Sequence, residues 1–451
     1  MSFELSVDKL VYGGEALGHH QGRTILVERA LAGERLEVEE TRSAKGVVHT
    51  RPLRVIEAAP ERAEPPCPYF GRCGGCQYQH LNPETQPLAK REILRETLRR
   101  IGKITWDLDI PIHSAAPWNY RNQIELKVAR QPDGGTALGF FESQSHHVVP
   151  IDSCAIASPR LNAILASLRS DEWLQRLAAF TAIELLADDR DERAMLTFCG
   201  AGAACKDEAL AQACLAELPG VVSVAVERAR VAPGSPPGAR GRGEPRPRVF
   251  GQPALSYHAG DFTYRISPGS FFQGSRFLLP ELAAAVIADA NTAPPPVASS
   301  GALALDLFAG VGLFTLPLAR RFEQVVAVEA GFSSAADLAA NAAAHALSNI
   351  RVAREDVADF LRRFAQREPD LVVLDPPRAG VAAGALKLLA GLQPRRIHYV
   401  SCSPPTLARD LGYLTSHDYA LESIELFDFF PQTYHIESLV RLVRPPVQAT
   451  A

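Results

Sequence analysis

A chain of 451 residues, 47% hydrophobic and 22% charged, is too long for one ordinary domain and too apolar to stay unfolded. No apolar run reaches the roughly 18–20 residues that span a bilayer, and MSFELSVDKLVYGGEALGHH has no basic start followed by an apolar stretch, so a cytoplasmic chain without a membrane partner is expected. The net charge of −4 argues against a globally basic nucleic-acid binder but leaves room for a local basic face, and eight cysteines are too few for a disulfide scaffold of this length.

Residues 3–58 alternate apolar and polar positions between Gly-containing turns, as in FELSVDKLVYGGEAL and RTILVERAL. Four or five strands of this size predict an OB-like barrel, either an oligonucleotide-binding frame or a structural appendage. PPCPYFGRCGGCQYQH follows, with Cys67, Cys73 and Cys76 within ten positions. Clustered thiols in a reducing compartment hold metal or do chemistry more often than they pair. Cys154, among polar and turn residues in VVPIDSCAIASPR, is the best fourth thiol, whereas Cys199, Cys205 and Cys214 read as core cysteines. Four thiolates hold zinc or a [4Fe–4S] cluster, and spacing alone favours zinc.

ETQPLAKREILRETLRRIGK predicts a helix with Leu94, Leu98 and Ile101 on one face and Lys90, Arg91, Arg95, Arg99 and Arg100 largely elsewhere, a solvated basic surface or a phosphate contact. Residues 110–230 predict a mixed α/β region, with strands at NQIELKVAR and AMLTFCG and helices at LNAILASLRS and KDEALAQACLAEL. PGSPPGARGRGEPRPR, residues 233–248, is too rich in Pro, Gly and Arg to pack, and NTAPPPVASS marks the start of the last region.

From residue 301 short apolar strands (ALALDLF, QVVAVE, LVVLD, HYVS) alternate with helices, the pattern of a parallel sheet covered on both faces. Gly310 and Gly312 in DLFAGVG let backbone approach a ligand at a strand's carboxyl end, and Glu329 closes the next strand, where an acid binds ribose hydroxyls. Without a G-x-G-x-x-G fingerprint this favours S-adenosylmethionine over a dinucleotide. Asp356 is placed either to meet an adenine amino group or to cap a helix. Asp375 opens the stiff turn DPPRAG. Cys402 lies just past another strand among polar, turn-forming flanks, and FFPQTYHIES supplies His435 and Glu437, the latter with an ordinary exposed carboxylate as its alternative reading. Methylating carbon 5 of uracil requires a thiol to add at carbon 6 and a base to remove the carbon 5 proton. Methylating an amino group requires no thiol, and amino-group methylases usually carry an aromatic residue where Arg378 follows DPP.

Taken together, FELSVDKLVYGGEALG, the cysteine cluster, SPGSFFQ, DLFAGVG, DPPRAG, SCSPPTLARDL and HIES closely resemble the RNA uridine-5-methyltransferase family, over nearly the whole chain. That resemblance implies a multidomain α/β fold: an OB-like TRAM barrel (1–58), a central α/β domain with a Cys-ligated cluster and an RNA-binding surface (62–261, with 82–110 able to pack on the catalytic domain), and a Rossmann-like class I methyltransferase domain (262–451). It implies Cys402 as nucleophile and Glu437 as base. Gln273, Phe308, Glu329, Asp356 and Asp375 would line the cofactor and base pocket, beside Gly310. It also turns the ligand set Cys67, Cys73, Cys76 and Cys154 from zinc toward [4Fe–4S]. The chain departs from the family's usual residues at Leu313, Ser403 and Pro405. The cluster and TRAM domain point to 23S rRNA rather than the T-loop of tRNA, on a monomeric enzyme. An RNA-binding protein with a degenerate methylase domain is disfavoured by the presence of both Cys402 and Glu437.

Overall fold

The alternation at the N-terminus folds as expected in the computed structural model, which describes residues 2–132, 134–200, 207–228, 247–288, 302–364 and 368–445. Strands β1 (Ser2–Leu10), β2 (Glu15–His20), β3 (Arg23–Glu28), β4 (Arg35–Ala44) and β5 (Val47–Glu57) form a closed barrel in the order β1-β2-β3-β5-β4. Period-two patterning sends Leu5, Val7, Ile25, Val27, Leu36 and Val38 into its core. The turn after β1 needs glycine at Gly14, where φ is +91° and a Cβ would stand 2.8 Å from the Gln77 side chain. The barrel belongs to the first of two compact units, Met1–Pro117 with Pro376–Ala382 and Tyr399–Ala451; the second is Trp118–Asp375 with Ala383–His398.

Helix α1 (Gln86–Thr97) buries Gln86, Lys90, Ile93 and Leu94. Lys90 therefore does not belong to a solvated basic face: it is 0% exposed, and its Nζ donates to Asp428 Oδ1 at 2.7 Å and to the Phe430 carbonyl at 2.8 Å. Positions 90, 94 and 98 share one helical face, and the buried carboxylate takes up the charge there. Ile101 is also displaced from its expected stripe and is 49% exposed. The helix ends in a π turn, Leu98–Gly102, whose extra residue per turn rotates Ile101 off the line of Leu94 and Leu98. The turn lies close against a later helix, since a Cβ on Gly102 would meet the Ala408 carbonyl at 2.6 Å. A short strand, β6 (Ile112–His113), follows.

In the second unit β7 (Gln123–Arg130), β8 (Thr136–Phe141), β9 (Val148–Pro150), β10 (Phe180–Ala187), β11 (Ala194–Gly200), β12 (Val221–Arg228) and β13 (Arg248–Gly251) form a sheet in the order β13-β12-β11-β10-β7-β8-β9. Only β11 and β12 run parallel in it, joined through a helix. Helices α2 (Pro159–Leu168), α3 (Asp171–Leu177) and α4 (Asp207–Glu217) accompany the sheet; Ser158 and Ser170 cap the first two, each accepting from a backbone N–H in the first turn. Cys214 is buried as expected, Cys199 is half-buried, and Cys205, residues 233–246 and the stretch 291–300 lie outside the described residues.

After the hairpin β14 (Leu255–Ala259) and β15 (Phe262–Ile266) and helix α5 (Leu279–Ile287), strand and helix alternate. The elements are β16 (Leu303–Leu307), α6 (Thr315–Ala319), β17 (Gln324–Val328), α7 (Phe332–Ala344), β18 (Ile350–Ala353), α8 (Val357–Arg363), β19 (Leu371–Leu374), α9 (Ala383–Leu392) and β20 (Arg396–Ser401). In this unit the order is β18-β17-β16-β19-β20, and β16 through β19 pair in parallel. The chain winds outward from β16 to β18, then resumes on the other side of β16 with β19. Beyond the carboxyl ends of β16 and β19, that reversal marks the usual ligand position of such sheets. Within β20 the chain passes back into the first unit, where α10 (Pro404–Thr415) leads to β21 (Ala420–Phe427) and β22 (Glu437–Val443). These two pair antiparallel, and β6 joins β21 in parallel. Among the described residues no helix is long and apolar enough to cross a membrane.

Candidate active site

At the switch point of the second unit, Asp306 is fully buried near the end of β16. Its Oδ2 accepts from Thr315 Oγ1 at 2.5 Å, while Oδ1 has no hydrogen-bond partner among the described residues. Burial pushes this carboxyl up to about 7, against the opposing pull of Thr315 and with a further push from the charge of Glu329. The chain then turns sharply: Phe308 has a φ of 70°, left-handed for a non-glycine residue, and Gly310 one of 54°. Gly310 N donates to Glu329 Oε2 at 2.9 Å and Gly331 N to Oε1 at 2.6 Å, so both oxygens are fixed at the end of β17.

Asp375, just past β19, is also pushed up to about 7 by burial, with Asp306 adding to the rise and a hydrogen bond from Gln273 opposing it. Gln273 Nε2 donates to Asp375 Oδ2 at 3.1 Å, so the structure joins two residues 102 positions apart. The loop that carries Gln273 is held by Asp337 of α7, which accepts from Ser267 N at 2.6 Å and from the hydroxyls of Ser267 and Ser270 at 2.7 Å. Sequence reasoning missed Asp337; the small polar residues of SPGS were the signal that the loop needed an acceptor. Asp356 is exposed and caps α8, its Oδ1 accepting from Ala358 N at 2.8 Å, as one of its two readings expected. A cavity of about 750 Å³ is lined by Leu303, Gln324 and Asn349 and, beside Asp356, by Glu355 and Phe360.

In the first unit Cys402 directly follows β20 and is half-buried, and Glu437 opens β22. Glu437 is 2% exposed, which overturns the reading of it as an ordinary exposed carboxylate. Ser438 Oγ donates to the Ser401 carbonyl at 3.3 Å, so the neighbours of Cys402 and Glu437 are in direct contact. The approach to β22 is a buried polar loop. Gln432, at a φ of 68°, accepts on its carbonyl from Gln77 N and Tyr78 N, each at 2.9 Å. Its backbone N and side-chain Oε1 bond the Gln86 side chain at 2.7 and 2.9 Å. Thus the residues just after Cys76, together with α1, hold the segment that delivers Glu437.

Four more side chains gather beside Cys402. Arg378 Nη2 lies 3.2 Å from His435 Nε2, and Tyr12 of the barrel meets Tyr434 edge-on with ring centroids 5.4 Å apart. The Tyr12 phenol is pushed up to about 12, by burial first, with Ser403 drawing it down and Tyr434 and Cys402 adding to the rise. No sequence signal singled out Tyr12, because its role depends on where the barrel's first turn comes to lie.

Cys67, Cys73, Cys76 and Cys154 are each half-buried. Gly75 N donates to Cys73 Sγ at 3.4 Å, and the Cys154 backbone is pinned by Asn162, which accepts from its N at 2.8 Å and donates to its carbonyl at 3.0 Å. Among the described residues no three His, Cys, Asp or Glu side chains are grouped so as to hold a metal ion. The donor set fits a thiophilic metal or cluster by its chemistry.

The elements assemble, in the second unit, two desolvated carboxyls and a backbone-fixed Glu329 suited to a cationic ligand that also carries ribose, and in the first a thiol and a buried carboxylate. Comparison with known proteins points the same way. Residues 253–445 match the family model described as tRNA (uracil-5-)-methyltransferase. A 23S rRNA (uracil(1939)-C(5))-methyltransferase of Alkalilimnicola ehrlichii is 35% identical over 97% of this chain and 95% of its own length. One from Erwinia tasmaniensis is 31% identical over 96% and 94%. The fold is that of the Pyrococcus abyssi tRNA (uracil-54, C5)-methyltransferase crystallised with S-adenosyl-L-homocysteine, with a TM-score of 0.72 at 23% identity, covering 98% of this chain and 100% of the other. With relatives similar over nearly its whole length, the chain belongs to the RNA uracil-5-methyltransferase family.

Proposed function

We propose that the protein methylates carbon 5 of a uridine in 23S rRNA through a covalent adduct on Cys402, with Glu437 as the base and S-adenosylmethionine as the methyl donor. The observation that carries this reading is the Ser401–Ser438 contact, which keeps the neighbours of the thiol and of a buried carboxylate together. The Cys402 thiolate adds to carbon 6, and the electron pair of the ring double bond becomes an enolate. Carbon 5 then takes the methyl group from the sulfonium, leaving S-adenosylhomocysteine. Glu437 removes the proton from carbon 5; the freed pair re-forms the double bond and expels the thiolate. Asp306 and Asp375 suit the cofactor's positive charge, and Glu329 its ribose hydroxyls. The uridine must leave its stack, at a cost of a few kcal/mol that is smaller in a loop than in a duplex.

The choice of 23S rRNA rests on the two relatives above, and the T-loop of tRNA is the second reading, favoured by the fold of the archaeal enzyme. The test is incubation with S-adenosylmethionine and 5-fluorouridine-substituted rRNA or tRNA, since fluorine at carbon 5 blocks the final elimination. Wild type should give an adduct stable on a denaturing gel, and Cys402→Ala none. An adduct in that variant would overturn the assignment, and the RNA that is captured decides the substrate.

We also assign Cys67, Cys73, Cys76 and Cys154 to a [4Fe–4S] cluster that would order the loop ahead of Gln77 and Tyr78. Anaerobically purified protein should contain iron and acid-labile sulfide in about equal amounts. Stoichiometric zinc without iron would replace the cluster with a structural zinc site.

A further inference from the structure

A closed barrel turns alternate side chains inward and the rest outward, and the outward set is ordinarily polar. In β2, β3 and β5 the buried apolar side chains are Ala16, Ile25, Val27 and Val48. Among the outward positions Leu17, Leu26 and Val47 break the rule: Leu17 stands opposite Leu26, and Val47 opposite Thr24. These side chains line a cavity of about 350 Å³ together with Ile93, Ile101, Tyr12 and Pro405. Pro405 is three residues past Cys402, and Tyr12 is close enough to Cys402 and Ser403 for both to act on its phenol. The cavity therefore adjoins the nucleophile loop. Its rim is charged. Glu96 is neutralised by Lys9 at 2.5 Å and lies 3.7 Å from Arg100, whose side chain stays 63% exposed.

Building on the uridine methylation assigned above, we propose that this cavity receives one unstacked base of the RNA strand that presents the target uridine, with the phosphate of that nucleotide on Arg100. The volume is that of a small-ligand pocket. An aromatic edge and aliphatic walls hold a base by its face without reading its identity, and RNA loops offer such splayed bases near a flipped one. The face of strands 2 and 3 and the first turn are where five-stranded barrels of this type commonly engage oligonucleotides. An apolar polypeptide segment would use the same walls but leave Arg100 without a role.

The test uses the full-length protein and 23S rRNA transcripts, each carrying one abasic nucleotide near the methylated uridine. Thr24→Trp fills the cavity from the barrel side, and Ile101→Trp fills it from an exposed position that tolerates the larger ring. At one abasic position wild type should bind roughly tenfold more weakly, while the filled variants, already weakened on intact RNA, should lose nothing further. Arg100→Gln should flatten the dependence of log Kd on log salt by about one unit. Abasic and cavity-filling effects that simply multiply at every position would overturn the proposal, including in favour of a polypeptide occupant. If wild type forms no 5-methyluridine in any transcript, the functional assignment falls and the cavity proposal with it; if it does and no position couples, only the cavity proposal falls.

Discussion

Ser438 donates its hydroxyl to the carbonyl of Ser401 at 3.3 Å, tying the strand that ends before the thiol to the strand that starts with the carboxylate. Because β22 begins at Glu437, that carboxylate sits on the end of a strand rather than on a loop, while the Cys402 thiol sits on the turn into α10.

Glu437→Gln should separate these two roles. The amide keeps the size of the side chain but cannot take the carbon 5 proton, so addition and methyl transfer proceed while elimination stops. Turnover should fall by about 10²–10⁴-fold, and an adduct bearing the transferred methyl group should accumulate on ordinary uridine RNA. Labelled methyl groups migrating with protein on a denaturing gel would show it. Turnover within about tenfold of wild type would remove Glu437 from the role of base.

Lys90 and Asp428 form a fully buried pair at 2.7 Å, ahead of the loop that carries Gln432. Lys90→Met leaves Asp428 without its cation and should cost about 3–5 kcal/mol of stability. Lys90→Met with Asp428→Leu should recover much of that loss, because the desolvated charge is gone. Chemical denaturation of the three proteins measures it, and a Lys90→Met variant as stable as wild type would show that the pair contributes little.

Much of this was legible in the sequence, and what escaped it did so for physical reasons. The period of two in residues 3–58 and the strand–helix alternation after 301 depend on local patterning, and both elements formed as expected. Cys402 and Asp375 could be placed at strand ends because their flanks SPP and PP forbid continuation of the strand. Lys90 was misjudged because residue type outweighed position: it shares a face with Leu94 and Leu98, and only its distant partner Asp428 makes burial tolerable. Ile101 was misjudged because a π turn has no reliable residue signature. Tyr12, Asp337 and the Gln86–Gln432 exchange escaped entirely, since each joins segments that only the tertiary fold brings together.

Gly13 and Gly14 give a controlled pair. Both have left-handed φ angles, +114° and +91°, but a Cβ at Gly13 meets open space whereas at Gly14 it stands 2.8 Å from Gln77. Gly13→Ala should cost only the backbone strain, about 1 kcal/mol. Gly14→Ala adds a clash with the residue that follows Cys76 and should cost about 1–3 kcal/mol more. Thermal denaturation distinguishes them, and equal losses would show that Gln77 moves aside freely.

With S-adenosylmethionine beside Asp306 and Asp375, as proposed above, cofactor binding should depend on pH. Both carboxyls titrate near about 7 in the folded chain against an ordinary value of 3.8, mainly through burial. The folded state therefore holds protons that the unfolded chain has released, so their contribution to ligand-free stability is complete below about 4 and is lost as pH rises through about 7. A cationic ligand reverses the preference, because a sulfonium and an ammonium group favour the ionised carboxylates. Affinity for S-adenosylmethionine should therefore rise between about pH 6 and pH 8, and binding should release protons. Calorimetry in buffers of different ionisation enthalpy reads both quantities. Asp306→Asn should raise the ligand-free Tm most at about pH 8, less at about pH 5 and not below about pH 4, since the penalty starts where the unfolded carboxyl begins to ionise. The same substitution should weaken the cofactor and flatten the pH dependence of its binding. Affinity that stays constant across this range in wild type would show that neither carboxyl changes protonation state when the cofactor binds.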